Sequence, residues 1–216
     1  MRFLQKTKEK INGEKIIYHG RAEGGLKVIN PHKCKHEKAY VYASHNVALC
    51  VIFAVKRKGE EVIFGNNIFG RTYITELYPN AFEDRFKGRT CYLYKLKEKD
   101  FKCETEYFEM VSKNPVEVVE CVEIKDASEF LLDLERQGKL KLIRFENLSK
   151  KQKLENEKVL TKKITEYLRF KEASKEEYEN LDADAKLKND VTLARKNFCL
   201  KKFPTLIEKI KKDLSL

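Results

Sequence analysis

Residues 40–54, "YVYASHNVALCVIFA", change their pattern halfway along. Tyr40 and Tyr42 belong to a short run of β-formers, and a strand there would place both rings on one face. From Asn46 to about Lys56, apolar residues recur at helical spacing. The stretch therefore predicts a strand that leads directly into an apolar helix. The function of the strand depends on what the two tyrosine rings contact.

The first 125 residues are typical of short strands separated by turns. Short runs of β-forming residues, bounded by turn residues, predict strands in "EKIIYHG", "YVYA", "EEVIFG", "TCYLYKL", "EYFEMVS" and "VEVVECVEI". We expect residues 66–89, "NNIFGRTYITELYPNAFEDRFKGR", to form a long loop with one short helix. A loop of that length is uncommon unless it is functional.

After Asp126 the pattern becomes helical. "DASEFLLDLERQGK" carries acids early and ends at Gly138, which favours a helix that stops there. Further helices are indicated from residue 148 onward, with a capping box from Ser174 to Glu177 and Pro204 in the first turn of the last helix. The predicted fold class is α+β, with a strand-rich domain at residues 1–125 and a helical C-terminal region at 126–216 packed on it.

Composition narrows the class of protein. The 216 residues carry 45 Lys and Arg against 34 Asp and Glu, a net charge of +11 that is shared almost equally by the two halves. Such a charge favours encounter with nucleic acid or another polyanion, although a lysine-rich, solvated surface explains it as well. No apolar run is long enough for a membrane helix or a signal peptide, so we expect a cytoplasmic protein with no membrane contact.

Cysteine and histidine patterns do not favour a metal site or a disulfide framework. The six cysteines form no Cys-x-x-Cys pair and lie mostly in apolar patterns, which indicates reduced core thiols. His32, Cys34 and His36 in "PHKCKHEK" are three potential zinc ligands, but a fourth ligand is not evident in the sequence. We therefore expect a surface loop there and no metal.

Three motifs occur in a meaningful order: "IIYHG", "YVYAS" and "EYFEMVSKNPVEVV". Together they resemble the ADP-ribosyltransferase fold of the His-Tyr-Glu type, which includes diphtheria-toxin-like enzymes, poly(ADP-ribose) polymerases and rifamycin ADP-ribosyltransferases. The resemblance covers about residues 15–124. It implies two small, mostly antiparallel sheets that enclose a cleft, with the helix after residue 46 behind the pocket and NAD as the co-substrate.

The resemblance also implies roles for individual residues. His19 would position the adenosine ribose, Tyr40 would stack on the nicotinamide and Glu109 would be the catalytic carboxylate, with Glu106 as the alternative and Glu104 as a further rival. These residue types suit the chemistry, because nicotinamide in NAD⁺ is a flat cation that an aromatic face attracts. A carboxylate stabilises the positive charge that develops on the ribose when the glycosidic bond breaks.

Four neighbours complete the implied NAD site: Gly20, Arg21, Tyr42 and Ala43. Gly20 would let the backbone approach the carboxamide closely. Many members of the family place Ser or Thr after the His-Gly pair, whereas this chain has Arg21, whose guanidinium is suited to a phosphate.

The function implied is an NAD-dependent mono-ADP-ribosyltransferase or NAD glycohydrolase that acts on an unidentified intracellular acceptor, which is a protein, a nucleic acid or a small molecule. Two alternatives remain open from the sequence. One is an RNA 2′-phosphotransferase-like activity, which the basic balance and Arg21 permit. The other is a protein of the same fold that has no catalytic activity and binds nucleic acid or a partner through its lysine-rich helices.

Overall fold

The computed structural model describes residues 9–33, 39–67, 70–102 and 110–214. It confirms the α+β class, with several mostly antiparallel sheets and a helical C-terminal region. The chain divides into two compact units. The first unit comprises Met1–Lys56, Phe64–Ile74 and Phe82–Ile143, and the second comprises Arg57–Ile63, Thr75–Ala81 and Arg144–Leu216.

The described residues form short strands and longer helices. The strands are β1 Lys10–Ile11, β2 Glu14–Arg21, β3 Val28–Ile29, β4 His32–Lys33, β5 Ala39–Ala43, β6 Val62–Asn66, β7 Thr72–Glu76, β8 Cys91–Lys97, β9 Met110–Ser112, β10 Val116–Glu117, β11 Glu120–Ile124 and β12 Leu140–Ile143. The helices are α1 Val47–Ala54, α2 Ala81–Phe86, α3 Ala127–Arg136, α4 Lys150–Arg169, α5 Lys175–Glu179, α6 Ala183–Lys202 and α7 Pro204–Leu214.

Two antiparallel sheets in the first unit are joined by backbone hydrogen bonds. One has the strand order β1-β2-β8-β11 and the other has the order β4-β5-β9. They are joined where Tyr18 and Ser44 exchange backbone hydrogen bonds, with N···O distances of 3.0 and 2.8 Å. The predicted split between two sheets is therefore confirmed, and the junction lies where β5 ends and the chain enters α1.

Helix α1, which the helical spacing after Asn46 predicts, packs against β2. The helix is apolar on nearly every side and buries six of its residues: Ala48, Leu49, Cys50, Val51, Ile52 and Ala54. Asn46 caps its N-terminus by accepting a hydrogen bond from the Leu49 backbone N–H at 3.3 Å. A Cβ atom at Gly20 would lie 1.9 Å from the Cys50 carbonyl oxygen, so the helix backbone occupies the space that a side chain there would need.

The core of the first unit lies between its strands. A cluster of buried side chains combines residues from five strands and one loop: Ile17, Ile29, Val41, Ala43, Tyr94, Leu96, Phe101 and Val116. The four described cysteines are free thiols, as predicted, but only three are buried, since Cys121 on β11 is exposed.

Residues 66–89 do not form the long loop that the sequence predicts. Besides α2 they contain β7, whose alternation is hidden because its buried face carries Thr72, Ile74 and Glu76, each fully buried. A carboxylate on a core face does not look apolar in sequence. Glu76 is stabilised there by the Phe145 backbone N–H at 2.9 Å and by Arg144 at 3.3 Å.

The compact units also differ from the predicted division at residue 125. Helix α3 and strand β12 belong to the first unit, and two earlier segments, residues 57–63 and 75–81, belong to the second. Residues 126–143 remain with the first unit because α3 buries Leu131 and Leu134, and because the Leu140 carbonyl accepts a hydrogen bond from Arg71 at 2.7 Å.

The second unit is built around α4, α6 and α7. Their apolar faces form a small core of Ile164, Tyr167, Cys199, Ile207 and Ile210. The predicted capping box is confirmed, since Ser174 and Glu177 exchange hydrogen bonds at 3.3 and 2.8 Å, and Pro204 begins the last helix. None of the described helices combines the length and apolar character needed to span a lipid bilayer.

Candidate functional site

A pocket of about 660 Å³ lies in the first unit, which is the size of a typical small-molecule site. We call it the His19 pocket. Its wall is formed by the end of β2 and the following turn (residues 18–23), by the end of β5 (residues 42–44) and by one face of α1, with further side chains from His32 and Lys56.

His19 is the central polar group of this pocket. It is only 7% exposed, and its Nδ1 lies 2.6 Å from the Tyr42 carbonyl oxygen. Because a carbonyl oxygen can only accept, Nδ1 carries the proton. The other nitrogen, Nε2, then accepts the Nε–H of Arg21 at 3.3 Å. The two contacts fit a neutral imidazole that is protonated on Nδ1 and accepts a hydrogen bond from Arg21 on Nε2.

The surroundings of His19 favour this neutral form. Burial lowers the pKa of His19 below the usual value for histidine, and the charges of Arg21 and His32 lower it further. The hydrogen bond to the Tyr42 carbonyl acts in the opposite direction but is the smaller effect. At neutral pH the ring is therefore a hydrogen-bonding group without a charge.

This shift predicts that stability depends on pH. In the unfolded chain His19 takes up a proton at about pH 6.5, whereas in the folded protein it does so only at a lower pH. The free energy of unfolding should therefore fall as the pH drops below about 6.5 and should level off below the pKa of the folded state. Urea unfolding between about pH 7.5 and pH 5 measures this dependence.

Two variants assign the dependence to one ring. His19→Gln should remove most of the slope, whereas His32→Gln should remove less, because the pKa of His32 is lowered by a smaller burial. An unchanged slope in His19→Gln would contradict the neutral, buried state of His19.

Aromatic rings stand on two sides of the pocket. Tyr42 lines it from β5 and Phe53, whose side chain is 58% exposed, lines it from α1. Tyr40 shares a strand face with Tyr42, as predicted, and the two rings meet edge to face with centroids 5.9 Å apart. However, Tyr40 is buried behind Tyr42, and the described wall of the pocket contains Tyr42 and not Tyr40.

Positive charge gathers at the mouth of the pocket. Among the described lining residues, Arg21 and Lys56 are accompanied by one carboxylate, Glu23, which lies 3.2 Å from Lys56 Nζ. Both members of this ion pair are largely exposed, so water screens the pair and it contributes little to stability. Arg21 is the cation that lies closest to the buried polar group, because it contacts His19 directly.

Most residues of the predicted NAD site therefore meet in one place. His19, Gly20, Arg21, Tyr42 and Ala43 all line the His19 pocket. The three candidate carboxylates, Glu104, Glu106 and Glu109, lie outside the described residues, so their assignment stays a prediction. Gly20 has a packing role in addition to the predicted one, since its missing side chain admits the backbone of α1.

Some pocket residues were not predicted from the sequence. Phe53 lines the pocket with Leu49, Cys50 and Ala54, which share one face of α1 at helical spacing. That spacing is visible in the sequence, but by itself it indicates an ordinary core-facing side of a helix. Only the position of β2 beside α1 shows that this side lines a pocket. Lys56 follows the end of the helix, and no motif in the sequence indicates that it belongs to a site.

The potential zinc ligands form no described site. His32 lies on β4 and lines the His19 pocket, whereas Cys34 and His36 lie outside the described residues. Within the described ranges, no group of three His, Cys, Asp or Glu side chains is arranged to hold a metal ion.

Comparisons with protein-family models, with curated proteins and with solved structures find no match to this chain.

Proposed function

We propose that the His19 pocket binds NAD⁺ and that the protein cleaves its nicotinamide–ribose bond, as a mono-ADP-ribosyltransferase or an NAD glycohydrolase. One observation carries the proposal. Five residues that the family resemblance names for this task, from the non-consecutive strands β2 and β5, line one pocket: His19, Gly20, Arg21, Tyr42 and Ala43. If the likeness of these short motifs were due to chance, there would be no reason for them to line the same pocket.

In this proposal His19 holds a ribose hydroxyl. Its Nε2 is an acceptor that faces Arg21, and a hydroxyl placed there would donate to the same nitrogen. Arg21 would then be released from His19 and would contact the diphosphate of NAD⁺, where a charge-assisted hydrogen bond is stronger than its contact with a neutral ring. The departure from Ser or Thr at this position thus has a function.

Tyr42 takes the role that the sequence assigned to Tyr40. Tyr42 lines the pocket, and the ring of buried Tyr40 packs edge to face on its ring. A nicotinamide cation on the Tyr42 face would gain about 0.5–2 kcal/mol from stacking and cation–π attraction. Phe53, which is exposed on α1 and also lines the pocket, could pack against an aromatic group of the ligand.

The reaction itself is a substitution at the ribose carbon. The C–N bond to nicotinamide breaks, and the bonding electron pair leaves with the nicotinamide, which becomes neutral. Water or an acceptor nucleophile supplies the new electron pair to the ribose carbon and releases its proton to solvent. A carboxylate at the ribose stabilises the cationic transition state, and Glu109 is predicted to supply it.

Two measurements test the proposal. Calorimetric titration should detect NAD⁺ binding to the wild-type protein, and chromatography should detect released nicotinamide. His19→Ala should lower the affinity for NAD⁺ by about tenfold or more, because it removes a buried, fixed hydrogen-bonding group. His45→Ala, at a histidine that does not line the pocket, is the matched control and should bind as the wild type does. A folded protein that neither binds NAD⁺ nor releases nicotinamide would exclude this function.

Arg21 and Lys56 support one second candidate, an RNA 2′-phosphotransferase-like reaction. Two cations at the mouth of the pocket favour a ligand with an additional phosphate, and the net charge of +11 favours encounter with RNA. Incubation with NAD⁺ and a 2′-phosphorylated oligoribonucleotide distinguishes the two reactions. Release of ADP-ribose 1″,2″-cyclic phosphate would favour the second candidate, and modification of a protein or release of free ADP-ribose would favour the first.

A further inference from the structure

A second cavity, of about 750 Å³, lies within the second unit and is independent of the His19 pocket. Its lining includes five apolar or aromatic residues: Leu77, Leu154, Leu160, Phe145 and Phe203. Its rim carries Lys150, Lys153 and Lys202. We call this cavity the lysine-rimmed groove.

We propose that the lysine-rimmed groove is a docking site for an acidic amphipathic helix of another protein. Leu154 is the main apolar anchor, because 54% of its surface is exposed although it sits on the groove wall. An amphipathic helix buries its apolar face in a groove of this kind through residues at positions i, i+3, i+4 and i+7.

The charge around the groove selects an acidic partner. Glu157 is the one acid among the described lining residues, and its carboxylate already lies 3.5 Å from Lys209 Nζ. The first turn of α4 contains no acid, and Lys150 is its first residue. Since the N-terminus of a helix carries partial positive charge, lysines there add to the positive field and complement carboxylates on a partner.

The aromatic residues of the groove favour a peptide over single-stranded nucleic acid. Lys153 Nζ lies 5.2 Å from the centroid of the Phe145 ring, and Lys202 Nζ lies 5.1 Å from that of Tyr78. Tyr78 is buried and also packs edge to face on Phe203. Nucleic acid binds such surfaces by stacking bases on open ring faces, whereas here a lysine occupies one face of Phe145 and another occupies one face of Tyr78.

A random 16-residue peptide display library, selected against the full chain, is the probe. Enriched peptides should carry leucine or phenylalanine at helical spacing with an excess of Asp and Glu. A synthetic copy of the best peptide should lose affinity about tenfold or more in Leu154→Glu and in the double variant Lys150→Glu/Lys153→Glu. Rising salt should weaken the binding of the acidic peptide.

Matched controls lie on the same unit away from the groove. Leu187, 63% exposed on α6, gives the control Leu187→Glu, and Lys188, its exposed neighbour on the same helix, gives Lys188→Glu. Both should bind the peptide as the wild type does. All variants change exposed or partly exposed side chains, and circular dichroism checks their folding.

The proposal is overturned if the enriched peptides show no acidic excess or if their affinity is the same in Leu154→Glu. It is also overturned if the selection enriches nothing that the groove variants weaken. A single-stranded oligonucleotide that competes with the peptide, and that loses affinity in the same variants, would assign the groove to nucleic acid instead.

Discussion

Glu109→Gln is expected to slow nicotinamide release by about 10²–10³-fold, because a carboxylate that stabilises developing charge acts mainly in the transition state. NAD⁺ affinity should change far less, since the proposed contacts of His19 and Tyr42 with NAD⁺ do not involve this group. Single-turnover release of nicotinamide, with affinity measured separately by calorimetry, separates the two effects. A loss of affinity equal to the loss of rate would contradict a role in the transition state.

Glu106→Gln is the matched comparison and should be nearly silent. Glu109 directly precedes Met110, whose partner in the sheet is Ala43 on the wall of the His19 pocket, whereas Glu106 is four residues from Met110 in sequence. The opposite result, with Glu106→Gln inactive and Glu109→Gln active, would move the catalytic assignment by three residues. If neither variant changes turnover, the predicted carboxylate role is wrong.

Gly20→Ala is expected to destabilise the first unit by about 3 kcal/mol or more, since overpacking that displaces backbone is at the severe end of core substitutions. The new Cβ would lie 1.9 Å from the Cys50 carbonyl oxygen and 2.6 Å from its carbon. Neither atom can rotate away, so α1 must move off β2 and the His19 pocket must deform. Urea unfolding measures the loss of stability, and NAD⁺ titration measures the effect on the pocket.

Gly24→Ala controls for the loss of a glycine in the same region. The nearest atoms to its Cβ would belong to the Tyr92 ring, at 2.5 Å, and that side chain ends at the surface in a long contact with Glu123. The ring can swing aside, so we expect a change of about 1 kcal/mol or less. Equal destabilisation by the two substitutions would show that close packing of α1 on β2 is not the reason for Gly20.

Local features of the sequence were sufficient for the elements that frame the His19 pocket. Runs of β-forming residues predict β2 and β5, and helical spacing after Asn46 predicts α1. Helix ends could be predicted from the sequence as well, because a capping box depends on residues only three positions apart. The capping box at Ser174 is an example. These signals are carried by near neighbours in the chain, so no knowledge of the tertiary structure is needed.

Long-range packing decided the rest. Strand β7 was missed because Glu76 belongs to its buried face, and its partners, Arg144 and Phe145, lie almost 70 residues later. The sequence predicts a domain boundary at residue 125, whereas α3 and β12 group with the first unit. Their contacts are made to residues far earlier in sequence, such as Arg71.

The candidate site shows the same division. The motifs around His19 and Tyr42 were visible in the sequence, and their residue types suggested a ligand. Only the fold brings the Tyr42 carbonyl to one nitrogen of His19 and Arg21 to the other, and only the fold places Tyr42 rather than Tyr40 on the described pocket wall. Sequence determines which side chains are present and which strand face they share, whereas tertiary packing determines which of them a ligand meets.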